Sequence, residues 1–198
     1  ELAGDVVFFG VPAEEYVEVE FKKGLMEKGL IRYGGGKCEM IRIGAWDDID
    51  ITVGHHACSG QKILVNNVAS NGTVSKIVTF TGRSAHAAGA PNQGVDALAA
   101  ANIAMHAVDA QRESFRDKDT VRVHGFISNG GEATNIIAEH TRLEYSVRAN
   151  KISALKDASE KVDRAMAAGA VATGCGVNCE TLPGYLPVIP VKDMRAVE

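Results

Sequence analysis

The sequence predicts an α/β fold in two parts, a partial α/β layer followed by a ferredoxin-like βαββαβ unit. Three observations predict it. Residues 5–9, which include Val6, Val7, Phe8 and Phe9, form an unbroken apolar run of the kind found in strands covered on both faces. Beyond residue 74 the periodicities follow the order strand, helix, strand, strand, helix, strand, which is the split βαβ arrangement. The polar turn Ser70-Asn71-Gly72 separates the two regimes.

In the first part the apolar run leads into Gly10-Val11-Pro12-Ala13-Glu14-Glu15, where Pro12 fixes the approach of the chain to the two acids. Residues 17–31 place Val17, Phe21, Leu25 and Met26 on one helical face and stop at Gly29. Gly34-Gly35-Gly36 is a flexible loop that opens a helix over 37–43, ended by Gly44. Residues 50–54 read as a second buried strand, tipped by His55 and His56.

In the second part residues 74–82 alternate like a half-buried strand, and residues 94–113 carry Val95, Leu98, Asn102, Met105 and Val108 at helical spacing among alanines. Strands follow over 121–128 and 141–148, a second alanine-rich helix over 152–172, and a short strand over 176–182. The expected organisation is a piece of an α/β layer over 1–72, the ferredoxin-like unit over 73–183, and a return toward the first layer over 184–198. The alanine-rich first helix suits close packing against a twin, so a homodimer is expected. The first layer has too few strands to close its own sheet, so the sequence is expected to be an excerpt of a larger one.

Composition narrows the class. With 198 residues, 45% hydrophobic and 23% charged, the chain can bury real cores. A net charge of -4 without a dense basic run argues against nucleic-acid and anionic-membrane partners. Neither an apolar run of membrane-spanning length nor a signal peptide is visible, although a targeting segment ahead of Glu1 is left open. Cys38, Cys58, Cys175 and Cys179 are expected as reduced thiols, since a chain of this size needs no bridges, and the setting is read as cytoplasmic.

Glu14 and Glu15 sit at a strand tip and alternate in direction, so one acid can hold a metal while the other handles a proton. A solvated loop pair is the equal alternative. His55-His56 at the second tip suits zinc, against one exposed and one hydrogen-bonded histidine. Gly82-Arg83-Ser84-Ala85-His86 surrounds an imidazole with small residues, leaving room for a ligand. Gly130-Gly131 followed by Asn135 reads as a turn presenting an amide, and Arg148 closes a strand with a fork suited to carboxylates. His106, His124 and His140 receive no role, and Gly34-Gly35-Gly36-Lys37 lacks phosphate-loop spacing.

Together these motifs resemble one family, the two-zinc amidohydrolases and peptidases that include aminoacylase, carboxypeptidase G and p-aminobenzoyl-glutamate hydrolase. The matching pieces are GVPAEE (10–15), GGGK (34–37), GAWDDID (44–50) leading to His56, GRSAHAA (82–88), GVDALAA (94–100), SNGGEATNII (128–137) and YSVRA (145–149). The flavour is nearest the p-aminobenzoyl-glutamate hydrolase and aminoacylase-1-like 2 branch. The resemblance implies that Glu14 is the general base acting on the attacking water and that Glu15 and His56 are metal ligands. It further implies that residues 1–72 are a partial catalytic α/β layer and residues 73–183 the family's dimerisation or lid domain, and that His86 reaches across a dimer to polarise the scissile carbonyl, with Asn135 and Arg148 placed for the substrate carboxylate. The implied cofactor is zinc, two ions per complete site, with manganese as the other candidate.

Two departures accompany the resemblance. The family's first metal-binding segment and its C-terminal histidine ligand lie outside this sequence, so the chain alone is expected to be inactive or nearly so. Residues 16–33 intervene between the acid pair and the glycines, where many relatives pass almost directly. The expected activity is hydrolysis of an amide bond in an N-acyl or N-aroyl amino acid or a dipeptide-like compound. A metallo-exopeptidase and a non-catalytic dimerisation module are the rivals.

Overall fold

The computed structural model describes residues 3–15, 17–55 and 69–190. The chain divides into two compact units, Glu1–Asn66 and Asn67–Glu198.

Among its described residues the first unit holds two short helices, α1 (Val19–Glu27) and α2 (Gly36–Arg42). Both end in the same way. Gly29 adopts φ 69° after α1 while the N–H of Leu30 donates to the carbonyl of Leu25, and Gly44 adopts φ 81° after α2 while Ala45 N–H donates to Met40. Glycine takes this left-handed position at little cost, which is why both expected stops hold.

The two expected buried strands of this unit do not form. Residues 5–9 and 50–54 are irregular, and Val6 and Phe8 are 87% and 88% exposed. A doubly covered strand needs partners on both edges, and the described residues of this unit contain no strand to pair with. Phe9 instead stacks on Trp46 at 4.7 Å between ring centroids. The helical face expected over 17–31 also differs, for Val17 and Phe21 are exposed and the buried residue of α1 is Lys22.

The second unit is the ferredoxin-like part. Its elements are β1 (Gly72–Thr81), α3 (Ala97–Ala110), β2 (Arg122–Asn129), β3 (His140–Ala149), α4 (Ile152–Thr173) and β4 (Gly176–Tyr185). The sheet order is β2-β3-β1-β4, and every neighbouring pair is antiparallel. Val78 and Phe80 of β1, Leu143 and Val147 of β3 and Met166 of α4 are fully or almost fully buried in one core with the helix alanines. The carboxylate of Asp96 caps α3 by accepting from the N–H groups of Leu98 and Ala99 at 2.8 and 3.2 Å.

The alanine stripe of α3 has an internal partner. Ala97, Ala100, Ala101, Ala104 and Val108 are buried, whereas Asn102 of the expected face is exposed. A Cβ placed on Gly169 of α4 would stand 2.3 Å from the Ala100 carbonyl oxygen. Small side chains on both helices allow this close crossing, so the stripe expected to meet a twin packs on α4 of the same chain.

A buried polar cluster sits between α4 and the sheet. The Lys76 ammonium, fully enclosed, donates to Asp163 Oδ1 at 2.6 Å and to Thr181 Oγ1 at 2.8 Å. The Cys179 thiol donates to the same carboxylate oxygen at 3.0 Å. Burial, then the bond to Asp163 and its charge, push that thiol up to about 12. Cys175 and Cys179 are free thiols, and Cys58 lies outside the described residues.

Candidate active site

The acid pair of the first unit is held from three directions. The N–H of Gly36 donates to the Ala13 carbonyl at 3.2 Å, and Ala13 occupies the left-handed region at φ 49°. A non-glycine residue there is strained, so packing must hold it. A Cβ on Gly36 would lie 1.7 Å from the Pro12 carbonyl oxygen, so only glycine admits this approach of the two segments. Lys37 then donates its ammonium to Glu14 Oε1 at 2.8 Å.

On the other side, the 5% exposed Lys22 of α1 donates to the backbone carbonyl of Glu15 at 2.8 Å and leaves the Glu15 carboxylate exposed. The segment between the acids and the glycines is therefore tied back to the acids. Near α2, the side chain of Glu39 accepts from Arg42 and from the backbone N–H groups of Arg32 and Tyr33. The bond to Arg42 leads the causes that hold the Glu39 carboxyl down at about 2, and burial opposes it.

A complete metal centre is not assembled by these residues. Among the described residues no three His, Cys, Asp or Glu side chains gather in a way that could hold an ion. Glu15 fits as one ligand, being a hard and open carboxylate. His55 is exposed, and the expected ligand His56 lies outside the described residues.

At one end of the sheet of the second unit, the loop after β1 meets the loop after β2. His86 pairs with Ile136 as an antiparallel bridge, with Ala87 N–H donating to the Asn135 carbonyl at 2.9 Å and Ile137 N–H to Ala85 at 3.0 Å. His86 and Asn135 are thus neighbours through the backbone. The His86 Nδ1 accepts from the N–H groups of Ala88 and Gly89 at 3.2 and 2.9 Å. With Nδ1 used as an acceptor, the ring proton belongs on Nε2, which stays exposed as a donor. Gly82 permits the loop to turn here, since a Cβ on it would meet the Val95 carbonyl oxygen at 2.0 Å.

Arg148 stands elsewhere. It pairs with Thr73, at the opposite end of β1 from Thr81 and the His86 loop. At about 3.3 Å per strand residue, that separation is roughly 25 Å. Its Nε donates to Ser146 Oγ at 3.3 Å, and Ser146 in turn shares a 3.2 Å hydrogen bond with Thr73. Two concavities of about 360 and 240 Å³ lie around Phe115, Arg116 and Val121 and are lined by none of the expected site residues. Lys22 carried no sequence signal and Lys37 figured only as the end of the GGGK motif, because a lysine's reach depends on how loops fold back.

A four-stranded antiparallel sheet with two helices on one face is the architecture of the unit over which the family match below falls. The chain belongs to the peptidase dimerisation domain family of the M20 type, whose pattern matches residues 68–173. It is 33% identical over 190 residues to the Xaa-Arg dipeptidase of Mus musculus, covering 96% of this chain and 39% of that protein. It is 27% identical to one of the p-aminobenzoyl-glutamate hydrolase polypeptides of Escherichia coli (strain K12), covering 93% of this chain and 35% of that one. The fold is shared with the aminobenzoyl-glutamate utilization protein from Klebsiella pneumoniae at a TM-score of 0.61 and 20% identity, over 80% of this chain and 40% of that one. The chain spans less than two fifths of the length of these curated relatives. Among the described residues no helix is long and apolar enough to cross a membrane.

Proposed function

We propose that the protein to which this chain contributes is a metal-dependent amidohydrolase that cleaves N-acyl or N-aroyl amino acids or dipeptide-like compounds as a homodimer. The observation that carries this reading is the Glu14–Glu15 pair, held by Gly36, Lys37 and Lys22 with the Glu15 carboxylate left open. Glu15 and His56 would hold zinc, or manganese in its place, together with ligands from outside this chain. Bound metal supplies Lewis acidity at the scissile carbonyl. Glu14 takes the proton of the attacking water and passes it to the leaving amine. His86 donates its Nε2 proton to the carbonyl oxygen as charge develops there.

Asn135 and Arg148 are assigned to the substrate carboxylate. Because they lie at opposite ends of one sheet, a single substrate that meets both draws them from two copies, which supports the dimer. A cytoplasmic setting is supported by the free thiols of Cys175 and Cys179. The dipeptidase reading is favoured by the 33% identity to a protein named Xaa-Arg dipeptidase.

The test is hydrolysis by the full-length protein of N-acyl amino acids, dipeptides and p-aminobenzoyl-glutamate, with zinc or manganese and with a chelated control. Turnover abolished by chelator is expected. No turnover with metal bound moves the assignment to a non-catalytic dimerisation module. Gly36→Ala should lower turnover by about a hundredfold, since a misplacement of about 1 Å carries that cost. Wild-type rates in that variant would detach the glycine loop from the acids' function.

A further inference from the structure

Arg122 and Arg148 are directly opposite each other on β2 and β3, so both point to the same side of the sheet. That side is the one away from the helices, because Val123 and Val147, the neighbours of these arginines in the strands, are buried in the helix-covered core. His124 follows two residues on, paired with Ser146, and reaches the same face. All three side chains are exposed. Among the described residues neither arginine makes an ion pair, and the nearest acid along this row, Glu144, is engaged by Arg142 at 3.4 Å.

Like charges directly across a sheet destabilise it, so this arrangement asks for a compensating anion. The guanidiniums are also steadied. Arg148 rests on Ser146, which Thr73 anchors, and Arg122 Nη1 donates to the Val121 carbonyl at 2.9 Å. Two forks with an imidazole beside them match the planar oxygens of one carboxylate.

We infer that Arg122 and His124 complete with Arg148 a carboxylate-binding site on the open face of the sheet, so that these two β2 residues help select substrates with a free terminal carboxylate. The inference rests on the assignment of Arg148 to that carboxylate, and it adds two residues that have no assigned role.

The test uses full-length protein stripped of metal by chelator, so that binding is read without turnover. N-acetyl-alanine is titrated by calorimetry against N-acetyl-alanine amide and inorganic phosphate. Wild type should prefer the carboxylate to the amide by tenfold or more, and Arg122→Glu should remove that preference. The same variant should raise the melting temperature, because a glutamate opposite Arg148 replaces a repulsion with an attraction. Tighter folding with lost carboxylate binding is a signature that a purely structural arginine does not give. His124→Ala should weaken carboxylate binding severalfold and leave the amide unchanged. Carboxylate binding unaffected in both variants, or phosphate bound as well as the carboxylate, overturns the inference. Failure of the enzymatic reading is separate, being the absence of turnover in metal-loaded wild type whatever the titrations give.

Discussion

Glu14→Gln in the full-length protein should retain its metal and lose turnover by about 10²–10⁴, the range that a positioned general base supplies. The amide keeps the shape of the side chain and removes its ability to accept a proton. Metal content should stay at the wild-type ratio, because the ligand assigned to the chain is the neighbouring Glu15, whose carboxylate is exposed and whose backbone is tied by Lys22. Lys37 contacts the same Glu14 carboxylate. Its ammonium lies 2.8 Å from Glu14 Oε1, and both side chains are about half exposed, so the bond adds little to stability and mainly orients the carboxylate. An unchanged melting temperature beside the lost rate is therefore expected. Metal analysis, thermal melting and steady-state kinetics on one preparation separate these effects, and full activity in the variant would remove Glu14 from the base role.

The second unit was legible because its signals are local. The strands and helices of residues 72–185 follow the periodicities read from the residues, and Asp96 and Gly174 mark a start and a stop. The last strand runs to Tyr185, past the expected end at 182. Pro183 does not end the strand, because β4 is an edge strand, where a residue without an N–H is tolerated. The first unit was less legible. Its apolar runs near Phe8 and Ile51 carry the composition of buried strands, but pairing is a long-range property that composition does not provide, and both are exposed. The stripe of α3 was placed on its larger residues, whereas the structure buries alanines, since the crossing at Gly169 selects small volume over hydrophobicity.

The candidate site divides along the same line. Residue types pointed to Glu14, Glu15, His86, Asn135 and Arg148, and the resemblance supplied their roles. What the sequence could not show is distance. His86 and Asn135 meet through a two-strand bridge between loops far apart in sequence, while Arg148, nearer to Asn135 along the chain, is carried to the other end of the sheet by β3. His124 looked like an ordinary outward residue until its register placed it beside two arginines. Such facts belong to strand pairing and have no signature in a single segment.

His86→Ala should lower kcat by roughly 10²–10³, equivalent to about 2.7–4 kcal/mol for one oxyanion donor, and leave KM within a few fold. Two backbone N–H groups, of Ala88 and Gly89, occupy Nδ1 and so leave the proton on the exposed Nε2. A donor fixed in that way is aimed before substrate arrives, which is the condition for strong stabilisation of developing charge. His86→Asn separates the two functions of the ring. Its short amide cannot reach as far as Nε2, so it should preserve the turn and still lose the rate. Sedimentation should show the same assembly for both variants and wild type, because the backbone bridge to Ile136 does not use the imidazole. A variant that loses its assembly in proportion to its activity would make His86 an interface residue, and the donor role would pass to another group.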